Sequence, residues 1–191
     1  MEKGAVPVLI ARRAVAAAGL EEQIEVRAGD GLAALKAGEA RVIVIAGMGG
    51  ETIASILENN TAVAKAADLL VIQPMTRVAC ARRWLVDHGW RIEREALVAE
   101  KKRLYQVIAA APGKGRDLNW LEEEMGPLLL AQGHPLLHEL AGLLAARYEK
   151  ELAGISRSKA NELDGRRKEL AGRIAQLKTL LQRLEGRCKI P

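Results

Sequence analysis

The residues that could do chemistry fall at three points. In "RVIVIAGMGGETIASIL" (41–57) an apolar run opens into Gly47-Met48-Gly49-Gly50 and then takes helical spacing; "AGDGL" (28–32) sets Asp30 between two glycines; "LLVIQP" (69–74) ends a second apolar run on Gln73-Pro74. A buried strand that opens into glycines leaves bare backbone at its carboxyl end, the edge where open α/β sheets hold ligands. Glycine also lets a ligand approach the main chain closely. The plain alternative is a tight strand-to-helix turn. A carboxylate at the same edge can accept hydrogen bonds from an exocyclic amine or a ribose hydroxyl; the alternative for Asp30 is to cap the next helix. The pattern is not G-x-G-x-x-G, and no Lys-Ser/Thr follows it, which excludes a P-loop. Three such strand ends argue for a site more strongly than any one of them.

The elements that must position these residues follow from periodicity. Residues 5–18 read as a helix closed by Gly19, and 23–29 alternate like a strand. "GDGLAALKAGE" holds a turn and a short helix. Residues 41–47 are a continuous apolar run of the kind covered on both faces in a parallel sheet. A helix follows to about Asn59. A second buried-type strand over 67–74 stops at Pro74, and a helix over 77–89 closes on Gly89. Strands over 90–100 and 103–112 are separated by only Lys101 and Lys102, which makes a hairpin. Beyond 112–119 the chain reads as helical: a short region broken at Gly126-Pro127, then helices over 136–153 and 156–186 joined near Gly154. Leu163, Leu170, Ile174, Leu177, Leu181 and Leu184 form an a/d seam broken once by Arg167, so the two long helices should pair as an antiparallel coiled-coil hairpin. The expected organisation is an α/β domain over 1–113 and a helical extension over 114–191.

Bulk properties narrow the function. Apolar residues make up 49% of the chain, but there is no Phe, so the core must be aliphatic. No apolar run approaches the roughly 18 residues that span a bilayer. No signal-peptide pattern opens the chain, so the expectation is a soluble, cytoplasmic protein. Cys80 and Cys188 lack metal-ligand spacing and read as reduced thiols. His88, His134 and His138 show no ligand or triad spacing, and no metal is expected. Trp90 and Tyr105 could stack on a base, but packing is the plainer reading. Residues 1–138 carry 17 basic and 17 acidic side chains, whereas 139–191 carry 12 and 7. A neutral body with a basic extension fits an anionic partner, or simply a solvated helical face.

The ensemble of "RAGDGL", "VIVIAGMGG", "LVIQP", "WLVDHGW", the "E…YQVI" hairpin and "GPLLL…HPLL" resembles the bacterial tRNA (adenine-22, N1)-methyltransferases over nearly the whole chain. The resemblance implies a Rossmann-like class I methyltransferase sheet that uses S-adenosyl-L-methionine, with a C-terminal two-helix extension. It implies that Asp30 and Gly31 border the adenine of the methyl donor and that Ala46, Gly47, Met48, Gly49 and Gly50 lie where methyl group and target base meet. Gln73 and Pro74 would wall the same pocket. Within that reading, Arg77, Arg82 and Arg83, the hairpin-tip residues Lys101, Lys102 and Arg103, and Arg157, Lys159, Arg166, Arg167, Lys168 and Arg173 are candidates for phosphate contact with tRNA; singly, each also reads as a surface charge.

In the family a strand, a donor-binding loop, a helix and a second strand come before the elements seen here. "MEKGA" matches the end of that part, with Met1 at a Val position and Glu2 out of register for the ribose-binding acid. The expectation is therefore an N-terminally incomplete sheet, in which the strand at 23–28 lacks a partner, or a chain that completes itself with a second copy. The functional expectation is methyl transfer to N1 of a tRNA adenine. The alternatives are a non-catalytic RNA-binding or scaffolding module, and another nucleotide-using transferase on the same sheet.

Overall fold

The structure, a computed structural model, describes residues 4–101, 103–156 and 163–187. Of the residues singled out above, Met1, Glu2, Lys102, Arg157, Lys159 and Cys188 lie outside the described ones. The chain divides into two compact units: residues up to Ala96 together with Tyr105–Glu124, and Leu97–Leu104 together with the chain from Met125 onward. Residues 114–124, expected with the helical part, thus belong to the first unit.

The first unit opens with helix α1 (Ala5–Ala17), which Gly19 ends at φ +65°. The alternating segment after it forms no strand; only Ala28 makes an isolated bridge. Alternation sets which face a strand buries, but a strand exists only by pairing, and this segment gains no ladder. A short 3-10 turn (Gly31–Ala34) leads to strand β1 (Val42–Gly49), helix α2 (Gly50–Asn59), helix α3 (Thr61–Lys65), strand β2 (Leu69–Thr76) and helix α4 (Val78–Asp87). The hairpin strands are β3 (Trp90–Glu100) and β4 (Arg103–Pro112), and the sheet order is β1-β2-β4-β3. β1 and β2 run parallel; β4 is antiparallel to β2.

Two expectations about the central strands change. β1 was expected to be covered on both faces, yet only Ile43 and Ile45 are buried, while Val42 and Val44 are 52% and 66% exposed. Ile43 and Ile45 pack with Ile53 and Leu57 of α2, Leu70 and Ile72 of β2, and Leu85 of α4 in one aliphatic core. The helices that follow β1 and β2 cover that face, and Val6, Leu9 and Ile10 of α1 are themselves exposed. Second, β2 runs through Pro74 to Thr76 instead of stopping there. Proline removes a ladder donor and is tolerated at bulges. Here Pro74 pairs with Met48, where the β1–β2 register shifts.

The second unit has its own core. After α5 (Trp120–Met125) and α6 (Pro127–Gln132) come the long helices α7 (Leu137–Ser156) and α8 (Asp164–Arg187). α7 runs through Gly154, so the break falls later than expected. Leu170, Ile174 and Leu177 of the seam are buried, as are Leu137, Leu140, Leu144 and Tyr148. Arg166 pairs with Glu151 at 2.6 Å, and His138 faces Glu185 at 3.3 Å. Rising numbers on α8 thus meet falling numbers on α7, so the helices are antiparallel. No described helix is long and apolar enough to cross a membrane.

Candidate functional site

The carboxyl ends of β1 and β2 converge on one structure. Gly47 has φ +78° and no partner in the β1–β2 register, where Ala46 faces Gln73 and Met48 faces Pro74. It is the extra residue of a bulge, the conformation glycine adopts most cheaply. Its amide donates to Oε1 of Gln73 at 3.0 Å, which ties the two strand ends together. A Cβ built on Gly47 would meet nothing within 4 Å, so this backbone faces open space. Gly50 is the opposite case: a Cβ there would stand 2.1 Å from the carbonyl oxygen of Arg77. Of the two glycines, one opens the turn and the other lets α2 start against the entry to α4. Arg77 occupies that entry at φ +51° and pairs with Glu51 at 3.5 Å.

A cavity of about 500 Å³ opens beside this turn, lined by Gly29, Asp30, Gly31, Met48 and α2. That volume falls within the range of small-molecule sites. Asp30 precedes the 3-10 turn but makes no side-chain capping bond to it, so the capping alternative does not hold. The α2 wall consists of Thr52, Ser55, Ile56 and Asn59, with Asn60 just beyond. The lining combines a carboxylate, hydroxyls and amides with Ile56 and Met48. That donor set fits a nucleoside-bearing cofactor, whose flat faces are apolar and whose edges are polar. Of the expected site residues, Asp30, Gly31 and Met48 border the cavity. Ala46, Gly47, Gln73 and Pro74 meet at the bulge instead, and Met48 belongs to both groups. Thr52, Ser55 and Asn59 were missed, although their spacing puts them on one helical face.

The cations sort by environment. Arg82, expected to face RNA, is fully buried. Its Nε donates to Glu95 at 2.8 Å, Nη2 to Gln106 at 2.7 Å and Nη1 to the Glu123 carbonyl at 2.6 Å. Burial pushes its pKa down, while Glu95 opposes that shift. It therefore anchors α5 to the sheet and is withdrawn from any surface role. Arg83 is 57% exposed and grips Glu123 with two nitrogens, and that hydrogen-bonded pairing raises its pKa. In the second unit Arg166 bonds Glu151 and Glu169, Arg167 bonds Asp164, and Arg173 bonds Glu169. Lys101, Arg103 and Lys168 are exposed. His88 stacks on Trp84 with ring centroids 4.3 Å apart, and both reach Glu58, which pins α4 to α2. Trp90 is a core residue at 1% exposure.

Comparison with known proteins identifies the relatives. The model of the tRNA (adenine(22)-N(1))-methyltransferase family matches residues 2–179. The Bacillus subtilis tRNA (adenine(22)-N(1))-methyltransferase is 39% identical over 107 residues, covering 56% of this chain and 45% of its own. The chain thus matches less than half the length of the curated relatives. Among solved structures, that of a Bacillus subtilis tRNA methyltransferase has a TM-score of 0.83 at 30% identity, covering 94% of this chain and 80% of the other. A Streptococcus pneumoniae structure in complex with S-adenosyl-L-methionine has a TM-score of 0.81 at 31% identity, covering 94% and 78%.

Proposed function

We propose that this chain, which belongs to the tRNA (adenine(22)-N(1))-methyltransferase family, takes part in S-adenosyl-L-methionine-dependent methylation of adenine N1 in tRNA. The observation that carries the reading is the open Gly47 bulge beside a polar-edged cavity, with Met48 bordering both. The reading places the chain with its tRNA substrate in the cytoplasm.

S-adenosyl-L-methionine would supply an electrophilic methyl group on a sulfonium. Asp30, Gly31 and Met48 would hold it, with Thr52, Ser55 and Asn59 offering polar contacts. The nucleophile, adenine N1, carries its own lone pair, so the chain need not provide a strong base. Its task is to align the reactants and exclude water. The Gly47 bulge contributes by leaving room at the strand ends. A base must leave its stack to reach such a site, at a cost of a few kcal/mol. Exposed cations, Arg77 and Arg83 in the first unit and Lys101, Arg103 and Lys168 in the second, are candidates for the phosphate contacts that offset it.

The test is to incubate the chain with a tRNA transcript and methyl-labelled S-adenosyl-L-methionine and to map the mark by mass spectrometry. Label on adenine N1 is the expected result. Label on another atom would refute the substrate assignment, and tRNA binding without any label would favour the non-catalytic reading.

A further inference from the structure

Gly49 is a glycine with no conformational reason to be one. Its φ of −68° and ψ of 147° suit any residue. What sets it apart is what faces it. A Cβ built there would lie 3.2 Å from Oγ1 of Thr76 and 3.7 Å from Oγ1 of Thr52. The two threonines come from different elements, the end of β2 and the first turn of α2, and the β1–β2 register sets Gly49 opposite Thr76. Thr76 shares a face of β2 with Ile72 and Pro74, the face that packs on α2, as the strand period requires. Both threonines are exposed, and neither hydroxyl has a hydrogen-bond partner among the described residues. Two free hydroxyls therefore flank one bare Cα.

Thr52 lines the cavity proposed for the methyl donor and Thr76 does not, so the pair stands at the cavity rim. The second reactant of a methyl transfer must approach from there. Arg77 and Glu51 beside it offset each other at 3.5 Å, so the spot carries little net charge and suits a base edge better than a phosphate. The base must keep N1 free to react. The major-groove edge of adenine meets that condition and presents the exocyclic amine, a donor, beside N7, an acceptor. A hydroxyl both donates and accepts, so two of them match that edge. We propose that Thr52 and Thr76 are the specificity-determining pair that holds the amine and N7 of the target adenine over the bare Cα of Gly49, and so fixes the direction in which N1 points. This rests on the proposed function.

The experiment measures methylation by the full chain of two tRNA transcripts, one with adenosine and one with 7-deazaadenosine at the target position. The second lacks the N7 acceptor. Wild type should methylate the first and lose about three- to tenfold in kcat/KM on the second, the scale of one neutral hydrogen bond. Thr52→Val and Thr76→Val, which keep the shape and lose the hydroxyl, should each lose a similar factor on adenosine. Their tRNA Kd should stay within about twofold, because phosphate contacts supply most of the affinity. Serine at either position should restore most of the rate. On 7-deazaadenosine one valine variant should match wild type, because its partner is already gone, while the other stays impaired. Gly49→Ala puts a methyl group between the hydroxyls at an unstrained φ, and should lower kcat/KM on adenosine without loosening tRNA. Valine variants as active as wild type on adenosine, or both impaired by the same factor on both transcripts, would overturn this inference alone. No methylation of the adenosine transcript by the wild-type chain would overturn the proposed function and this inference with it.

Discussion

Gly50→Ala tests the geometry on which the site depends. The added Cβ would lie 2.1 Å from the Arg77 carbonyl oxygen and 2.8 Å from its carbonyl carbon. Nonbonded atoms settle at roughly 3.5 Å, so more than about 1 Å of overlap must be relieved. Neither side yields easily. Arg77 is main chain here, and α4 is held to α2 farther along through Trp84, His88 and Glu58. Overpacking costs about 1–3 kcal/mol, occasionally more, and a backbone-on-backbone clash belongs at the top of that range. Gly47→Ala is the control. Nothing stands near its Cβ, and its cost is the left-handed backbone alone, about 1–2 kcal/mol. All three tryptophans, Trp84, Trp90 and Trp120, lie in the first unit, so their fluorescence reports its unfolding without the helices of the second. At about 4 °C per kcal/mol for a unit of this size, Gly50→Ala should lower Tm by roughly 12 °C and Gly47→Ala by less. A Gly50→Ala melt within a degree of wild type, or above that of Gly47→Ala, would refute the close approach of α2 to the α4 entry.

Two further outcomes follow from the ion pairs. Arg82→Met should destabilise the first unit by about 3–5 kcal/mol, because it removes the buried guanidinium that bonds Glu95, Gln106 and the Glu123 carbonyl. Adding Glu95→Leu should recover part of that loss in the same fluorescence melts; no recovery would mean that the network matters for shape and not for charge. In the second unit the Arg166 hydrogen bond holds the Glu169 carboxyl below its usual range. A depressed folded pKa contributes stability above the unfolded value near about 4.3, lost as pH falls through the folded one. Glu169→Gln should therefore destabilise the helices slightly at pH 7, by under about 1 kcal/mol for so exposed a pair, with the difference shrinking as pH falls below the unfolded value. Circular dichroism melts across that range check this, and a difference that does not shrink in acid would refute it.

The site's glycines were legible because their chemistry is local: an apolar run that opens into Gly-Met-Gly-Gly announces a strand end. The cavity wall was legible but unread. Thr52, Ser55 and Asn59 fall on one turn-to-turn stripe of α2. Arg82 carried a similar signal. Val78, Ala81, Arg82 and Leu85 share the inward spacing, so helical phase places Arg82 with the core residues and Arg83 beside them at the rim. Charge obscured that phase. Other features could not be read locally. Residues 23–27 alternate correctly yet form no ladder, since pairing depends on a neighbour. The open face of β1 likewise looks, in sequence, like the covered one, because Val42 and Ile43 are equally apolar.

The carboxylates of the helical hairpin have a consequence for how it would meet a polyanion. Nucleic acid releases condensed counterions as protein cations neutralise its phosphates, and this release makes binding fall with salt. Arg166, Arg167 and Arg173 already carry a carboxylate each or share one. A guanidinium that must first leave Glu169 or Asp164 exchanges one anion for another and contributes less to that release. The salt dependence of the hairpin's affinity would then follow its uncommitted cations, Lys168 among the exposed ones, and would be shallower than the 12 basic residues of 139–191 suggest.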